Sequence, residues 1–347
     1  MSTSLIGRRL KRDIVNEIGT ILIAAETMIK QEHLDKLRQH RVEISDYDLH
    51  PEVREAAPIS HADIARAKVE EATASIKNIF EEIRHKQTIP VHDIQEQVIP
   101  ALENATQNYK DLFLLLSNLQ SKDDYTYRHN IGVGVLSALI AKWMDLSEKD
   151  QAALMVAATL YDVGKMMVPE EILNKKGKLT PEEFELLKQH TVFGHDLIKA
   201  SEGTSPEMAR VALEHHERMD GSGYPYGKKS EEIHLYSKIV AVADVFHAMI
   251  SDRPYHRAIP FYEAISQLRG EVFGKLDSTV VFALLNNIMK QFIGSKVVLT
   301  DGTEAEVVML HQSDPFNPLV KTAVGFVDLK ASQELHIGKV LGFSAAG

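Results

Sequence analysis

The spacing of apolar and polar positions changes twice along the chain and separates three kinds of segment. Residues from about 6 to 25 alternate between polar and apolar side chains around a turn candidate at Asn16 to Gly19, which predicts a short β-hairpin. Apolar positions that include Leu34 and Leu37 follow at the spacing of one helix face. We therefore predict a small α+β module over residues 1–48.

Helical periodicity dominates the middle of the chain. It predicts a helical connector over residues 59–120 and an all-α domain over residues 121–292. Proline and glycine punctuate the domain between its predicted helices. These helices cover 131–144, 150–161, 181–199, 206–216, 235–250, 261–270 and 278–292.

Strand periodicity begins after Gly294. Val297 to Leu299 and Val307 to Leu310, joined by the turn Asp301-Gly302, predict a hairpin, and Val324 to Val327 and a last segment near Val340 predict further strands. We interpret residues 294–345 as a small β-rich, barrel-like or SH3-like module. The predicted fold class is therefore mainly α, with an all-α domain flanked by a hairpin-and-helix module and a β-rich module.

Composition narrows the chemistry that the chain can perform. There are no cysteines among the 347 residues, so disulfides, thiolate nucleophiles and zinc–thiolate sites are excluded. No apolar run approaches the roughly 18 residues of a membrane span, and the N-terminus lacks the pattern of a signal peptide. We expect a cytoplasmic protein without a membrane span.

The formal net charge of -10 argues against a nucleic-acid polymer as the ligand, because such binding depends on Lys and Arg that neutralise phosphates. A small phosphorylated ligand stays compatible with this charge, since bound divalent ions would dominate the local field.

Two aspartates, Asp162 and Asp244, lie in otherwise apolar runs that the pattern assigns to helices. A buried carboxylate needs a cation, a hydrogen-bond network or a metal. Each aspartate could therefore be a metal ligand, or it could instead cap a helix or pair with an arginine. The pair His215-His216 stands just before a predicted helix end, where adjacent imidazoles can converge on one centre.

Four histidines accompany the two aspartates, and together they suggest a metal site. Nitrogen and oxygen ligands without sulfur suit iron, manganese, zinc or nickel. Six such ligands suffice for two ions, and two ions at roughly 3.5 to 4 Å favour hydrolysis of a phosphoester. The candidate ligands are His129, Asp162, His190, His215, His216 and Asp244.

Five short motifs punctuate the predicted all-α domain. They are Tyr161-Asp162-Val163-Gly164-Lys165, Lys188-Gln189-His190, the stretch His215-His216-Glu217-Arg218-Met219-Asp220-Gly221-Ser222-Gly223-Tyr224-Pro225, Ala243-Asp244-Val245-Phe246, and Arg253-Pro254-Tyr255. Together they resemble the HD-GYP family, a branch of the HD-domain metal phosphohydrolases.

The resemblance implies a phosphodiesterase that opens cyclic di-GMP to pGpG, or on to GMP, through a hydroxide held by two iron or manganese ions. Position by position, it implies that His129, Asp162 and Asp244 hold the first ion, that His190, His215 and His216 hold the second, and that Asp162 bridges them. It also implies that Lys165 binds a phosphate oxygen during catalysis. The substrate-binding residues that it implies are Arg253, Gly223, Tyr224 and Pro225.

The chain departs from the family pattern at its first motif, where tyrosine stands in place of histidine at position 161. This removes one expected ligand of the first ion. His247, three residues after Asp244 on the same predicted helix, is one candidate substitute. Tyr125 stands where members with a third ion carry glutamate, so at most two ions are expected.

Three hypotheses therefore stay open. The chain is a metal-dependent cyclic di-GMP phosphodiesterase, a weak or inactive cyclic di-GMP sensor that docks a partner, or an HD phosphohydrolase for another nucleotide. The sequence leaves homodimer formation and signalling protein partners open, as it does the metal's identity.

Overall fold

The structure, a computed structural model, describes residues 5–16, 19–50, 61–107, 125–251, 259, 261–271, 274–332 and 334–342. The chain divides into two compact units, Met1–Ser60 and His61–Gly347. Arg253, predicted to bind substrate, lies outside the described residues, as does the part of the predicted connector after residue 107. The finer division of the second unit into connector, all-α domain and β-rich module stays a prediction.

The first unit contains the predicted hairpin and helix. Strand β1 (Ile14–Val15) pairs antiparallel with β2 (Ile21–Ile23), and helix α1 (Gln31–Gln39) follows. The alternation is visible in burial, since Ile14 is buried and Val15 is exposed. Apolar side chains from both elements form one small core, which consists of Leu10, Ile14, Leu22, Ile23, Ile29, Leu34, Leu37 and Leu49.

The second unit is mainly helical, as predicted. Its helices are α2 (His61–Lys86), α3 (Val91–Gln97), α4 (Ile99–Gln107), α5 (Tyr125–Trp143), α6 (Glu148–Leu160), α7 (Glu170–Leu173), α8 (Pro181–Lys188), α9 (His190–Ala200), α10 (Pro206–Glu214), α11 (Leu235–Ile250), α12 (Phe261–Glu271) and α13 (Ser278–Lys290). No helix in the described part of the chain is long and apolar enough to cross a membrane.

Helix α5 lies at the centre of this unit. Every residue from 128 to 141 is buried, because α2, α4, α6, α11 and α13 all pack against it. Such a helix is buried on all sides and has no solvent-facing polar stripe over these residues. The His129 side chain therefore reaches the interior from within a helix that begins at Tyr125, six residues before the predicted start.

Local signals set several of the helix ends. Thr180 caps α8 by accepting a hydrogen bond from the Glu183 amide at 3.2 Å, with Pro181 in the first turn, and Ser205 caps α10 in the same way. The prediction of one helix over 181–199 was wrong, because the chain breaks at Gln189 into α8 and α9. Asp162 also lies outside a regular α-helix, since α6 ends at Leu160 and a 3₁₀ turn (Val163–Met167) follows.

The predicted β-rich module is a five-stranded antiparallel sheet in the order β6-β5-β4-β3-β7. Its strands are β3 (Lys296–Leu299), β4 (Glu304–Met309), β5 (Leu319–Thr322), β6 (Gly325–Asp328) and β7 (Ile337–Gly342). The sequence pattern missed β5, which directly follows Pro318, with Pro315 three residues earlier, and these prolines indicate a loop. The inward side chains of β3 to β5 join the helical core, so the second unit has one continuous core.

Candidate metal centre

Four predicted ligands converge because each lies where a helix begins or ends. Asp162 follows α6, His190 is the first residue of α9, and His215 and His216 directly follow α10. At such positions the helical geometry no longer separates adjacent side chains. These four residues, which we call the tetrad, each offer a ligand atom within 4.8 Å of the others.

A close backbone contact brings Asp162 to His190. A Cβ atom added to Gly164 would lie 1.9 Å from the His190 carbonyl oxygen and 2.4 Å from the Gly194 amide nitrogen, so only glycine fits there. The 3₁₀ turn can therefore lie directly against α9. As a result, the Asp162 Oδ1 atom is 3.3 Å from His190 Nε2 and 3.7 Å from His215 Nε2.

Hydrogen bonds to the backbone orient two of the imidazoles. His190 Nδ1 donates to the Leu187 carbonyl at 2.6 Å, and His215 Nδ1 donates to the Ala212 carbonyl at 2.9 Å. With the protons assigned from this network, both Nε2 atoms carry lone pairs, and they face each other at 3.3 Å. This is the arrangement in which a histidine ligates a metal and its other nitrogen is held by a second partner.

The tetrad has the donors that a cation requires. Asp162 is 2% exposed, and its Oδ1 atom has no hydrogen-bond partner among the described residues. A buried carboxylate oxygen that faces two imidazole lone pairs is unfavourable without a positive charge between them. The residues present therefore fit a divalent metal ion, with three imidazoles and one carboxylate as its ligands.

The electrostatics keep these ligands in the forms that bind metals. Burial lowers the pKa of His215 to about 4, and burial together with the neighbouring His215 holds the pKa of His216 well below its usual range. Burial by itself would raise the pKa of Asp162, but the charge of the neighbouring Lys165 ammonium is the largest of the effects that offset it, so the pKa lies well below its usual range. At neutral pH His215 and His216 are uncharged and Asp162 is ionised.

Lys165 lies beside the tetrad. Its Nζ atom donates to Asp162 Oδ2 at 2.5 Å, which leaves Oδ1 for other partners. The Lys165 side chain is 28% exposed, while that of Asp162 is 2% exposed. Lys165 thus connects the buried carboxylate with the solvent-accessible side of the site.

The remaining predicted ligands, His129 and Asp244, form a second cluster with Tyr161 and His247, which we call the Tyr161 group. Asp244 Oδ1 accepts hydrogen bonds from His129 Nε2 at 2.8 Å and from the Tyr161 hydroxyl at 3.1 Å. His129 Nδ1 is 2.9 Å from His247 Nδ1. The structure therefore brings His129 and Asp244 together. It also places the Tyr161 hydroxyl against Asp244 Oδ1 and the His247 ring against His129 Nδ1.

The two clusters adjoin each other through Tyr161. This side chain is fully buried, and its ring meets the His215 ring edge to face at 4.9 Å. Burial and the charges of Asp162 and Asp244 raise the pKa of Tyr161 well above its usual value, so its hydroxyl stays protonated. Tyr125, for its part, stacks on His129 with the ring centroids 5.4 Å apart.

The predicted substrate-binding loop lies against the tetrad. The Tyr224 ring stacks on His216 at 4.5 Å, and Lys188 Nζ is 5.7 Å from its centroid. Gly223 has no room for a Cβ atom, which would lie 2.4 Å from the His216 carbonyl oxygen, and Pro225 follows a cis peptide bond. The loop thus presents Tyr224 with one face of its ring already in contact with His216.

Two buried glutamates that the sequence analysis did not single out hold this loop. Glu217 accepts hydrogen bonds from the backbone amides of Tyr226 and Lys228 at 2.8 and 2.9 Å. Glu214 accepts from the Lys228 ammonium at 2.7 Å and from the Ser237 hydroxyl at 2.9 Å. Both glutamates flank the His215-His216 pair. The sequence signal that could have identified them is an acidic residue on each side of this pair, at the end of a helix whose other face is apolar.

The helical core and its histidine and aspartate ligands at helix ends define a metal-site domain of the HD type. The family described as "HD domain" matches residues 106–280, which is just over half of the chain. A Bdellovibrio bacteriovorus structure, Bd1817, titled an HDG"Y"P protein, superposes with a TM-score of 0.53 at 17% identity over 84% of this chain and 98% of that one, which supports the fold alone.

Curated relatives identify the branch of that family. A cyclic di-GMP phosphodiesterase of Pseudomonas aeruginosa, PA4108, is 33% identical over 79% of this chain and 63% of its own length. One of Thermotoga maritima is 43% identical over 53% of this chain and 51% of its own length. The chain belongs to the HD-GYP family. It spans less than two thirds of these relatives.

A further relative is named for a different dinucleotide. The 3′3′-cGAMP-specific phosphodiesterase 1 of Vibrio cholerae is 35% identical over 52% of this chain and 42% of its own length. The named substrates of the relatives therefore differ, although all of them are cyclic dinucleotides.

Proposed function

We propose that the chain is a metal-dependent phosphodiesterase that hydrolyses cyclic di-GMP to pGpG or on to GMP. The observation that carries the proposal is the tetrad, in which a carboxylate oxygen without a hydrogen-bond partner among the described residues faces two imidazole lone pairs. Relatives that are named cyclic dinucleotide phosphodiesterases support the substrate class.

Two divalent ions, iron or manganese, would supply Lewis acidity and an activated water. The tetrad would hold one ion, and His129 with Asp244 would take part in holding the other. In the overall reaction, water adds to phosphorus, the bond from phosphorus to the 3′ oxygen breaks, and that oxygen gains a proton.

The chain's own residues supply orientation and charge. Lys165 is partly exposed beside Asp162, so its ammonium group can bind a non-bridging phosphate oxygen and stabilise the charge that develops there. Glu214 and Glu217 hold the loop that carries Tyr224, and this fixes the wall of the site next to His216. We also propose that Arg253 contributes a second phosphate contact, as the family resemblance implies.

The test is hydrolysis by purified protein that has been loaded anaerobically with iron(II) or manganese(II). Release of pGpG or GMP from cyclic di-GMP is expected, and Asp162→Asn should slow it by about a thousandfold. Asp196→Asn is a matched control, because Asp196 is an exposed aspartate on α9 that pairs with His195 outside the tetrad. Equal turnover by the Asp162→Asn protein would contradict the proposal.

A binding function without turnover is the second candidate, and the Tyr161 hydrogen bond to Asp244 favours it, because this bond occupies a predicted ligand atom. Tight binding of cyclic di-GMP by metal-loaded protein, without product over hours, would support a sensor. The same assay with 3′3′-cGAMP and other nucleotides would distinguish a hydrolase for another substrate, since base identity is set by pocket contacts.

A further inference from the structure

We infer that the chain fills its two metal sites unequally. The tetrad binds its ion at lower metal concentration, and the His129–Asp244 pair binds an ion more weakly, because Tyr161 is hydrogen-bonded to Asp244 and His247 to His129. This inference deepens the proposed function and rests on it. It concerns the order and strength of metal binding, which neither the family nor its named relatives determine for this chain.

The tetrad can accept an ion without losing any hydrogen bond among the described residues. Asp162 Oδ1 has no partner there, and the His190 and His215 Nε2 atoms face each other with both protons on the opposite nitrogens. The ion would replace repulsion between lone pairs with attraction. Binding at this position therefore improves contacts that are unfavourable in the metal-free protein.

The His129–Asp244 pair, in contrast, already has hydrogen bonds on the atoms that would bind an ion. Its two most direct donor atoms, His129 Nε2 and Asp244 Oδ1, are hydrogen-bonded to each other at 2.8 Å. The Tyr161 hydroxyl adds a second hydrogen bond to the same carboxylate oxygen. An ion that takes both atoms must break the first contact and compete with the second, and each hydrogen bond to a charged group opposes it.

His247 weakens the pair from the other side of the His129 ring. A ligating histidine usually has its second nitrogen on a carboxylate or a carbonyl, which makes it a better donor. Here that position is occupied by another imidazole, that of His247, at 2.9 Å, and not by a carboxylate or a carbonyl. His247 is fully buried, and Gly132 leaves the room for it, since a Cβ atom there would lie 2.0 Å from His247 Nε2.

The experiment is a metal titration of chelator-treated protein, with bound manganese(II) measured by mass spectrometry after equilibrium dialysis. The wild type should show two separated steps of one ion each. In Tyr161→Phe, which removes only the hydroxyl, the second step should move to about tenfold lower metal concentration while the first stays in place. Tyr161→His, which adds an imidazole, should shift the second step in the same direction.

A matched control is Tyr236→Phe. The Tyr236 hydroxyl also donates to an aspartate, Asp150 Oδ1, at 2.7 Å, but away from both clusters. Loss of this hydroxyl should leave both metal steps unchanged. Circular dichroism of each variant verifies that it is folded, and Tyr161→His provides the second test if the phenylalanine variant does not fold.

Several results would overturn the inference. They are two ions bound in one step by the wild type, an unmoved second step in both Tyr161 variants, one ion at most in every form, or loss of the second ion in Tyr161→Phe. The last result, together with a visible tyrosinate band in the iron form, would make Tyr161 a ligand.

These outcomes are separate from those of the proposed function. Protein that hydrolyses cyclic di-GMP but binds both ions in a single step would contradict this inference alone. Protein that shows the two steps and the Tyr161→Phe shift, yet turns over no dinucleotide, would contradict the proposed hydrolysis instead.

Discussion

The tetrad and the Tyr161 group are both built from buried aspartate and histidine, yet they differ in how their polar atoms are satisfied. In the tetrad, Asp162 Oδ1 lacks a hydrogen-bond partner among the described residues and two imidazole lone pairs face each other. In the Tyr161 group, Asp244 Oδ1 accepts two hydrogen bonds. Residue type alone therefore does not distinguish a cluster that could hold a cation from one whose polar atoms are already hydrogen-bonded to each other.

The largest expected effect comes from exchanging one aspartate in each cluster for asparagine. Asp162→Asn should remove the metal from the tetrad and lower the rate of cyclic di-GMP hydrolysis by about a thousandfold, as loss of several kcal/mol of charge stabilisation implies. Asp244→Asn should retain about one ion per chain, because the tetrad is intact. Metal analysis and product assays check both predictions. Equal metal loss in the two variants would contradict the prediction that the two clusters bind metal differently.

A pH series on metal-free protein measures how the tetrad contributes to stability. Burial lowers the pKa of His215 from 6.5 to about 4, so the unfolded chain binds a proton that the folded chain rejects between these values. The stabilisation is therefore complete above about pH 6.5 and is lost as the pH falls towards 4. We expect the free energy of unfolding in urea to fall by about 2 kcal/mol from this group between pH 7 and 4.5.

The variant His215→Gln should reduce that pH dependence. His195→Gln, at a partly exposed position next to Asp196, should retain the wild-type slope. A slope that is the same in all three proteins would show that His215 is not the group responsible.

A glycine substitution tests the Tyr161 group. Gly132→Ala would place a methyl group on the fully buried His247 ring, and we expect it to destabilise the folded protein by about 2 kcal/mol. Gly270→Ala in α12 is the matched control, because open space surrounds that position. It should stabilise by about 0.5 to 1 kcal/mol through helix propensity. Thermal unfolding of both variants would show opposite shifts, and a neutral Gly132→Ala would argue against a tightly held His247.

The smallest effect is expected at Ser251, whose hydroxyl is 3.2 Å from His247 Nδ1. Ser251→Ala should cost about 1 kcal/mol of unfolding free energy, because it removes one buried hydrogen bond. The tetrad does not contact Ser251, so the first metal-binding step should stay unchanged. A change in that step would show that the two clusters are coupled more closely than their separate hydrogen bonds indicate.

Much of the fold was predictable because periodicity reports burial directly. The hairpin near Ile14, the helix through Leu34 and the change to strands after Gly294 all follow from which positions face a core. The errors lie where local signals conflict. Strand β5 follows prolines, which indicate a loop. The helical pattern continues across Gln189, although the structure ends one helix before this residue and begins the next at His190.

Family resemblance named six candidate ligands, and the structure brings four of them together in the tetrad, while metal binding by any of them stays a prediction. The division of the six into two clusters was not predictable. No pattern in the sequence indicated that Tyr161 donates to Asp244 or that Glu214 and Glu217 hold the Tyr224 loop. Such contacts depend on side-chain direction at helix ends, which periodicity does not report.

By itself, the sequence determined the mainly helical class, the strand-rich end, the absence of sulfur ligands and the residue types available to a metal. Only the tertiary structure decided which of the described residues are satisfied by hydrogen bonds and which form a cluster that could hold a cation. The physical reason is distance along the chain: Tyr161 and Asp244 are 83 positions apart, and His129 and His247 are 118 apart. Their hydrogen bonds exist only because the packing of α5, α6 and α11 brings the atoms within 3.1 Å.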